Sequence, residues 1–195
     1  MNEIFRAFKE SIEVKKNILD NNLAVVIEEM AEESCSAIVS GKKIIFCGNG
    51  GSAADAQHLA AELLIRFRSS FDRPPIKAIS LALDSSTITA CGNDYDFDLI
   101  YSRTLEALGD EGDILFILST SGMSKNILNA IESARKKNIA IFSFLGNDGG
   151  KAKKNCTLNF IVPCKNTARI QESHITAGHA FVEMLENKLV EIGYL

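Results

Sequence analysis

Short apolar segments alternate with helical segments along most of this chain, and this alternation constrains the fold more than any other feature. Near-continuous apolar runs are typical of strands that are covered on both faces. Five such runs occur at 44–47, 76–83, 114–118, 139–145 and 158–162. Helices are predicted between and after them near 53–67, 95–108, 124–137 and 169–191. The βαβ rhythm predicts an α/β fold, a three-layer doubly wound sheet of about five parallel strands.

Residues 1–40 precede the first strand and have the apolar spacing of helices. The polar residues Asp20, Asn21 and Asn22 are expected to break this region into two helices. So much apolar helix needs a partner surface, either on its own domain or on other subunits. At 195 residues, with 46% of them apolar, the chain fits one domain over 1–195 that includes this helical extension.

Composition excludes several classes of partner. Acidic and basic residues are interleaved and sum to −4, so no basic stretch is available for nucleic acid. Neither a secretory signal pattern nor a run of about 18 apolar residues is found, so no membrane association is expected. The five cysteines are odd in number and widely spaced, which suits reduced thiols in the cytoplasm.

A glycine-rich loop over 48–52 follows the first predicted strand and precedes a helix. Glycines allow the backbone to turn sharply and to approach a ligand closely. The N-terminus of the following helix offers free N–H groups to an anion. We expect Ser52 to cap that helix, with Asp55 as its capping-box partner.

A second donor-rich loop, Ser-Thr-Ser-Gly-Met-Ser over 119–124, follows the third strand and also precedes a helix. In a doubly wound sheet of order 2-1-3-4-5, the first and third strands flank the topological switch point, where ligands bind. The two loops are therefore predicted to face one crevice and to bind a phosphate.

Two alternatives to a phosphate loop remain open for 48–52. The segment is also compatible with a tight turn that binds nothing. Together with Ala53 it further matches G-x-G-x-x-A, the fingerprint of dinucleotide-binding domains, with Asp84 as a candidate ribose ligand. Asp84 lies further along the chain than the roughly 20 residues which that fingerprint expects.

The chain has three histidines, and two of its predicted helices carry them. His58 and Glu62 are four residues apart, so they share a helix face. His174 and His179 lie on the last helix together with Gln171, and spacing alone does not choose between the two histidines. Such a set could bind zinc, act as an acid/base set, or serve only in structure.

Four segments resemble bacterial phosphoheptose isomerases, which belong to the sugar isomerase (SIS) domain superfamily. The longest is GNGGSAADAQHLAAELLIRF over 48–67. The others are CGNDY over 91–95, STSGMS over 119–124, and RIQESH over 169–174 with His179 beyond. The resemblance covers nearly the whole chain in the right order, and Met123 departs from the polar residue expected there.

The resemblance implies an isomerase that converts D-sedoheptulose 7-phosphate to D-glycero-D-manno-heptose 7-phosphate, the first step of heptose biosynthesis for lipopolysaccharide or related glycans. It implies a cytoplasmic homotetramer with active sites between subunits and one zinc ion per subunit. Glu62 and His179 would be catalytic, and His58, Glu62, Gln171 and His179 would hold the zinc. The implied substrate contacts are Asn49, Gly50, Gly51, Ser52, Glu62, Asn93, Asp94, Ser119, Thr120, Ser121, Ser124 and Gln171.

Other functions are compatible with the same fold. A protein that associates with a replication initiator has a very similar sequence and performs no isomerisation, but it lacks the carboxylate found here at Glu62. Isomerases of other phosphosugars, such as arabinose 5-phosphate, usually carry additional regulatory domains. A sugar-phosphate sensor without catalysis is a further alternative, and an activity assay separates it from an enzyme.

Overall fold

The computed structural model describes residues 2–195, in which five parallel strands form a single sheet of order β2-β1-β3-β4-β5. This is the predicted order, with the switch point between β1 and β3. The predicted three-layer α/β fold is therefore confirmed. The strands are β1 (Ile44–Gly48), β2 (Ala78–Ser80), β3 (Ile114–Ser119), β4 (Ala140–Gly146) and β5 (Leu158–Val162).

Seven α-helices and two short 3-10 helices occupy the described residues. The α-helices are α1 (Glu3–Asp20), α2 (Val26–Val39), α3 (Gly51–Leu64), α4 (Ser85–Asp94), α5 (Ile100–Leu108), α6 (Lys125–Lys136) and α7 (Thr167–Glu191). The predicted break after Asp20 is confirmed, and Met1 of the predicted 1–40 region lies outside the described residues. None of the helices in 2–195 combines the length and the apolar character that crossing a membrane requires.

Alternate side chains of the central strands enter two separate cores. Phe46, Phe116 and Phe144 point to the layer formed by α2, α3 and α7, with Ile18 of α1 at its edge. Ile45, Leu115 and their equivalents point to the layer formed by α4, α5 and α6. This alternation follows from the two-residue period of a strand, and it explains why the runs are apolar throughout.

The second strand is much shorter than the predicted 76–83. The Ile76 amide donates to the Leu63 carbonyl at the end of α3, at 3.0 Å, and so is not available to the sheet. After Ser80, the Leu83 amide donates back to the Ser80 carbonyl in a turn. Helix and turn contacts therefore limit β2 to three residues on an edge of the sheet.

The helical stretch predicted near 95–108 is confirmed from Phe97 on, as a 3-10 turn followed by α5, whereas α4 before it was not predicted. Asp84 caps α4 by accepting from the Ser86 amide at 2.9 Å and from the Thr87 hydroxyl. The Thr87 hydrogen bond, with that of Ser86, holds the pKa of the Asp84 carboxyl below its usual value. Asp84 is thus used as a helix cap, and the residues of α4 alone, rich in Ser and Thr, are weak helix formers.

The predicted capping role of Ser52 is also wrong. Gly50 is the N-cap of α3, with φ 57°, and no side chain caps this helix. A glycine adopts this left-handed conformation at little cost, so the chain enters the helix two residues earlier than expected. Ser52 therefore lies inside the first turn, and the Asp55 Oδ2 atom has no hydrogen-bond partner among the described residues.

Candidate active site

A small polar cavity of about 60 Å³ lies where the loops after β1 and β3 meet at the carboxyl edge of the sheet. Hydroxyl and amide side chains form most of its wall. The lining residues are Asn49, Ser52, Leu118, Ser119, Thr120, Ser121, Ser124 and Gln171. The structure therefore brings together most of the predicted phosphate contacts, and the N-termini of α3 and α6 both begin beside them.

The hydroxyls of the loop over 119–124, which we call the serine loop, are arranged to donate. The Ser119 and Ser121 oxygens accept from the amides of Gly122 and Met123, at 3.1 and 3.2 Å. Their O–H groups are left for another acceptor. Ser124 is the N-cap residue of α6, yet its side chain makes no capping hydrogen bond. A phosphate in the cavity would satisfy these donors and the helix N-terminus together.

Asn126 joins the two loops, a role that the sequence did not reveal. Its side-chain amide and that of Asn49 form a reciprocal pair of hydrogen bonds at 2.8 and 2.9 Å. Asn126 is buried, so this pair is shielded from water. The only signal in the sequence is an amide residue in the first helical turn after the serine loop.

Two further contacts fix the loops from outside the cavity. Gly122, at φ 61°, packs so closely on the backbone of Gly149 and Gly150 that a Cβ atom on it would clash with the Gly149 carbonyl. On the other side of the sheet, the buried Tyr101 hydroxyl donates to the Gly48 carbonyl, and burial raises the pKa of that hydroxyl above its usual range. Neither contact has a recognisable pattern in the sequence.

Gln171 reaches from α7 to the start of α3. A Cβ atom on Gly51 would lie 2.7 Å from the Gln171 Nε2 atom, so a larger residue there would require this amide to shift. The predicted substrate contacts Gly50, Gly51 and Gln171 are therefore adjacent. Gln171 precedes His179 by eight residues, or about 12 Å along the helix, and it lines the cavity.

His58, Glu62 and His179 meet between α3 and α7. The Nε2 atoms of the two imidazoles are 2.8 Å apart, which requires one to donate and the other to accept. Glu62 Oε1 lies 3.4 Å from His58 Nε2, and the Phe67 ring lies 5.7 Å from the His179 ring, centroid to centroid. Two proton carriers and a carboxylate are thus in reach of one another at a partly exposed position.

The donor atoms of this cluster are of the types that bind zinc. Two nitrogens on one tetrahedral zinc are about 3.3 Å apart, given Zn–N distances near 2.05 Å, so a shift of about half an ångström converts the hydrogen-bonded pair into a ligand pair. Across 2–195, the structure holds no group of three or more His, Cys, Asp and Glu side chains already arranged around a metal position. The residues therefore fit zinc by chemistry, and Gln171 lies apart from them.

The cluster and the cavity are separated by a distance that suits a phosphorylated ligand. His58 follows Ser52 by six residues on α3, or about 9 Å of helix. An anion bound at the start of α3 would place the rest of an extended small molecule along the helix, towards the acid/base cluster. The arrangement can therefore hold a phosphate at one end and move protons at the other.

Asn93 and Asp94 are not among the residues that line the cavity. They end α4, where the Asn93 amide donates to the Asp94 carboxylate at 2.8 Å. Asp94 borders a separate groove with Tyr95 and Arg103. The structure does not place them at the cavity, so their contact with substrate stays a prediction.

His174 is a structural residue. It is fully buried, and its Nε2 atom is 3.0 Å from the Leu145 carbonyl at the end of β4, so it donates there. Its Nδ1 atom has no partner in the described part of the chain. Burial lowers the pKa of this imidazole to about 4. Spacing left open which of His174 and His179 joins the cluster with His58. The full burial of His174 leaves His179 for that position.

The family model that matches this chain describes the SIS domain and covers residues 7–146. A phosphoheptose isomerase of Sulfurimonas denitrificans is 49% identical over 183 residues, which are 93% of this chain and 92% of that protein. One of Clostridium acetobutylicum is 44% identical over 96% of this chain and 95% of its own. The solved structure of a phosphoheptose isomerase from Francisella tularensis superposes with a TM-score of 0.90 at 36% identity, covering 95% and 97% of the two chains.

The burial of the His174 imidazole predicts how the stability of the fold depends on pH. With a pKa near 4 in the folded protein and about 6.5 in the unfolded chain, His174 binds more protons when unfolded between these values. Stability should therefore fall as pH drops from 7 towards 4, by about 2 kcal/mol at pH 5. Urea unfolding at pH 7 and pH 5 measures this loss, and His174→Gln should lose less. Equal losses in both proteins would contradict the assignment.

Proposed function

The chain belongs to the phosphoheptose isomerase family of SIS-domain proteins, and on that premise we propose that it converts D-sedoheptulose 7-phosphate to D-glycero-D-manno-heptose 7-phosphate. One observation carries the proposal. His58, Glu62 and His179 lie together, and α3 leads from this cluster to the polar cavity. A heptulose 7-phosphate has its phosphate at one end and its reacting C1 and C2 at the other, as this layout requires. The product would serve the biosynthesis of heptose for lipopolysaccharide or related glycans.

Binding begins with the phosphate. The serine loop, Asn49, Ser52 and the N-termini of α3 and α6 hold it in the cavity. The phosphate takes no part in the chemistry, but the energy of its binding positions the open-chain sugar against the acid/base cluster.

The reaction moves protons and requires no oxidant. Glu62 takes a proton from C1 of the ketose, and the electron pair forms an enediol between C1 and C2. His179 supplies a proton to the oxygen at C2 and removes one from the oxygen at C1. Return of a proton to C2 then yields the aldose. His58, whose Nε2 atom faces that of His179, orients this imidazole and exchanges a proton with it.

A divalent metal is proposed for the same cluster. His58, Glu62 and His179 would hold one zinc ion per subunit, and Gln171 stays the predicted fourth ligand. A bound zinc would stabilise the negative charge that develops on the sugar oxygens. Without a metal, the two imidazoles would keep the hydrogen bond between their Nε2 atoms.

We also propose a homotetramer with active sites near subunit contacts. Large apolar side chains along one stripe of α1 are more than half exposed: Ile4, Phe5, Phe8, Ile12 and Leu19. Such a patch supports contact with another subunit. The five free thiols suit a reducing compartment, and we place the reaction in the cytoplasm.

Replacement of the proposed base tests the mechanism. Glu62→Gln keeps the shape of the side chain but removes its basicity, so turnover of sedoheptulose 7-phosphate should fall by about 10²- to 10⁴-fold. In deuterated water, wild type should place deuterium at the carbon that receives the proton, and the variant almost none. The matched control, Ser121→Ala with Ser124→Ala, should raise KM and largely keep kcat. Near-normal deuterium incorporation by Glu62→Gln would assign the base to another group.

Metal content tests the zinc proposal without an assay of activity. Elemental analysis of protein purified without a His-tag should find about one zinc per chain, and His58→Ala and His179→Ala should lose most of it. His174→Gln is the control and should keep the metal, because that imidazole faces β4. Less than about a tenth of an equivalent in wild type, with full activity after chelation, would leave a purely acid/base site.

Light scattering tests the assembly. Four chains of 21.3 kDa give about 85 kDa, and Phe5→Glu with Phe8→Glu should reduce this mass by placing charges in the apolar stripe. Asn17→Glu, across the helix from that stripe by 100° per residue, is the control and should leave the mass unchanged. A wild-type mass near that of one chain would refute the tetramer.

A further inference from the structure

A buried ion pair joins the segment after α3 to α7. The Arg73 Nε atom donates to Glu186 Oε1 at 2.5 Å, and both side chains are fully buried. Arg68, which is about one third exposed, donates to the other carboxylate oxygen of Glu186 at 2.6 Å. Both oxygens of this buried carboxylate are therefore paired with a cation.

The remaining donors of Arg73 bind the end of α3. Its Nη2 atom donates to the Glu62 carbonyl at 2.8 Å, and its Nη1 atom donates to the carbonyls of Leu63 and Pro74, each at 3.0 Å. The last carbonyls of a helix have no partner within the helix. One guanidinium thus binds the main chain of Glu62 and a carboxylate on α7.

The two groups that Arg73 joins, the end of α3 and Glu186, lie beside the acid/base cluster of His58, Glu62 and His179. Glu62 is in the last turn of α3, which ends at Leu64, and helix ends fray when nothing caps them. Glu186 follows His179 by seven residues, or two turns of α7, so the two lie on one face. The bridge therefore connects the backbone of the proposed base to the helix that carries its partner.

Stability alone is a weak reason for such a pair. Burying two charges is costly, and replacing a buried ion pair with apolar residues of similar volume is often neutral or stabilising. Proton transfer, by contrast, depends steeply on position, since a misplacement of about 1 Å can lower a rate by about 10²-fold. The contacts of Arg73 with Glu186 and with the carbonyls of α3 fix the position of the last turn of this helix.

We propose that Arg73 is a positioning residue, which acts with Glu186 to hold the last turn of α3 so that the Glu62 side chain stays beside His58, which contacts His179. The proposal rests on the proposed function, in which Glu62 is the base. Arg73 itself touches neither the cavity nor the cluster side chains, and it acts through the Glu62 main chain.

The double variant Arg73→Met with Glu186→Leu separates positioning from stability. It removes the two buried charges together, so the thermal midpoint should fall less than in either single variant, although the carbonyls of Glu62 and Leu63 lose a donor. The carbonyl of Glu62 loses its donor, so kcat should fall by about 10²-fold. KM for sedoheptulose 7-phosphate should change by less than about threefold, because the anion cavity lies at the other end of α3. A folded double variant with kcat within threefold of wild type would overturn the proposal.

Arg73→Lys is the variant for the case in which the double variant does not fold. A lysine keeps the charge beside Glu186 but lacks the planar fork that reaches the carbonyls of Glu62 and Leu63 at the end of α3, so kcat should again fall with KM nearly unchanged. The control is Lys43→Met, which breaks the partly buried pair with Asp113 just before β3. It should lower the thermal midpoint and leave kcat unchanged, and equal kcat losses in the two variants would overturn the proposal.

Hydrogen exchange gives a readout that does not depend on turnover. In Arg73→Met with Glu186→Leu, the amides at the end of α3 should exchange faster than in wild type, while those at its start should not. Unchanged exchange at the end of α3 would overturn the proposed role of Arg73 even if the variant proved inactive. Absence of any isomerisation by wild type would instead contradict the proposed function alone.

Discussion

The close packing of α3 on α7 is the contact on which the site depends. A Cβ atom on Gly178 would lie 2.7 Å from Leu59 Cδ2, so a residue without a side chain is needed where the helices touch. Gly178 directly precedes His179, and Leu59 directly follows His58. The contact that brings the helices together therefore also sets the 2.8 Å approach of the two imidazoles. A larger residue at 178 would separate the helices and the acid/base cluster together.

The interior carries few charges, and each is paired with a neighbouring segment. Glu186 is fully buried and is paired by Arg68 and Arg73 at the end of α3. Asp113 is buried just before β3, where it accepts from the Lys43 amide at 3.0 Å and pairs with the Lys43 ammonium. Both carboxylates hold neighbouring segments at fixed positions, which is the use that best offsets the cost of burying a charge.

Much of the fold could be predicted because each strand run has its own local signal. The strand order and the two donor-rich loops follow from apolar runs and from glycines and serines at their ends. The failures have two causes. The Leu63 carbonyl accepts from the Ile76 amide and shortens β2, and a single sequence contains no record of such a tertiary contact. The other two are local: Asp84 starts a helix in a weak helix-forming segment, and Gly50 begins α3 before Ser52 can cap it.

The sequence by itself determined the class of fold, the two donor-rich loops and the set of residues able to move a proton or bind a metal. These follow from residue type and short-range spacing, which are local properties of the chain. Only the tertiary structure decided which histidine is buried, that Asn126 joins the loops, and that Arg73 binds the main chain of Glu62. Each of these contacts joins residues from different elements, and their distance depends on how the helices pack on the sheet, which no local pattern records.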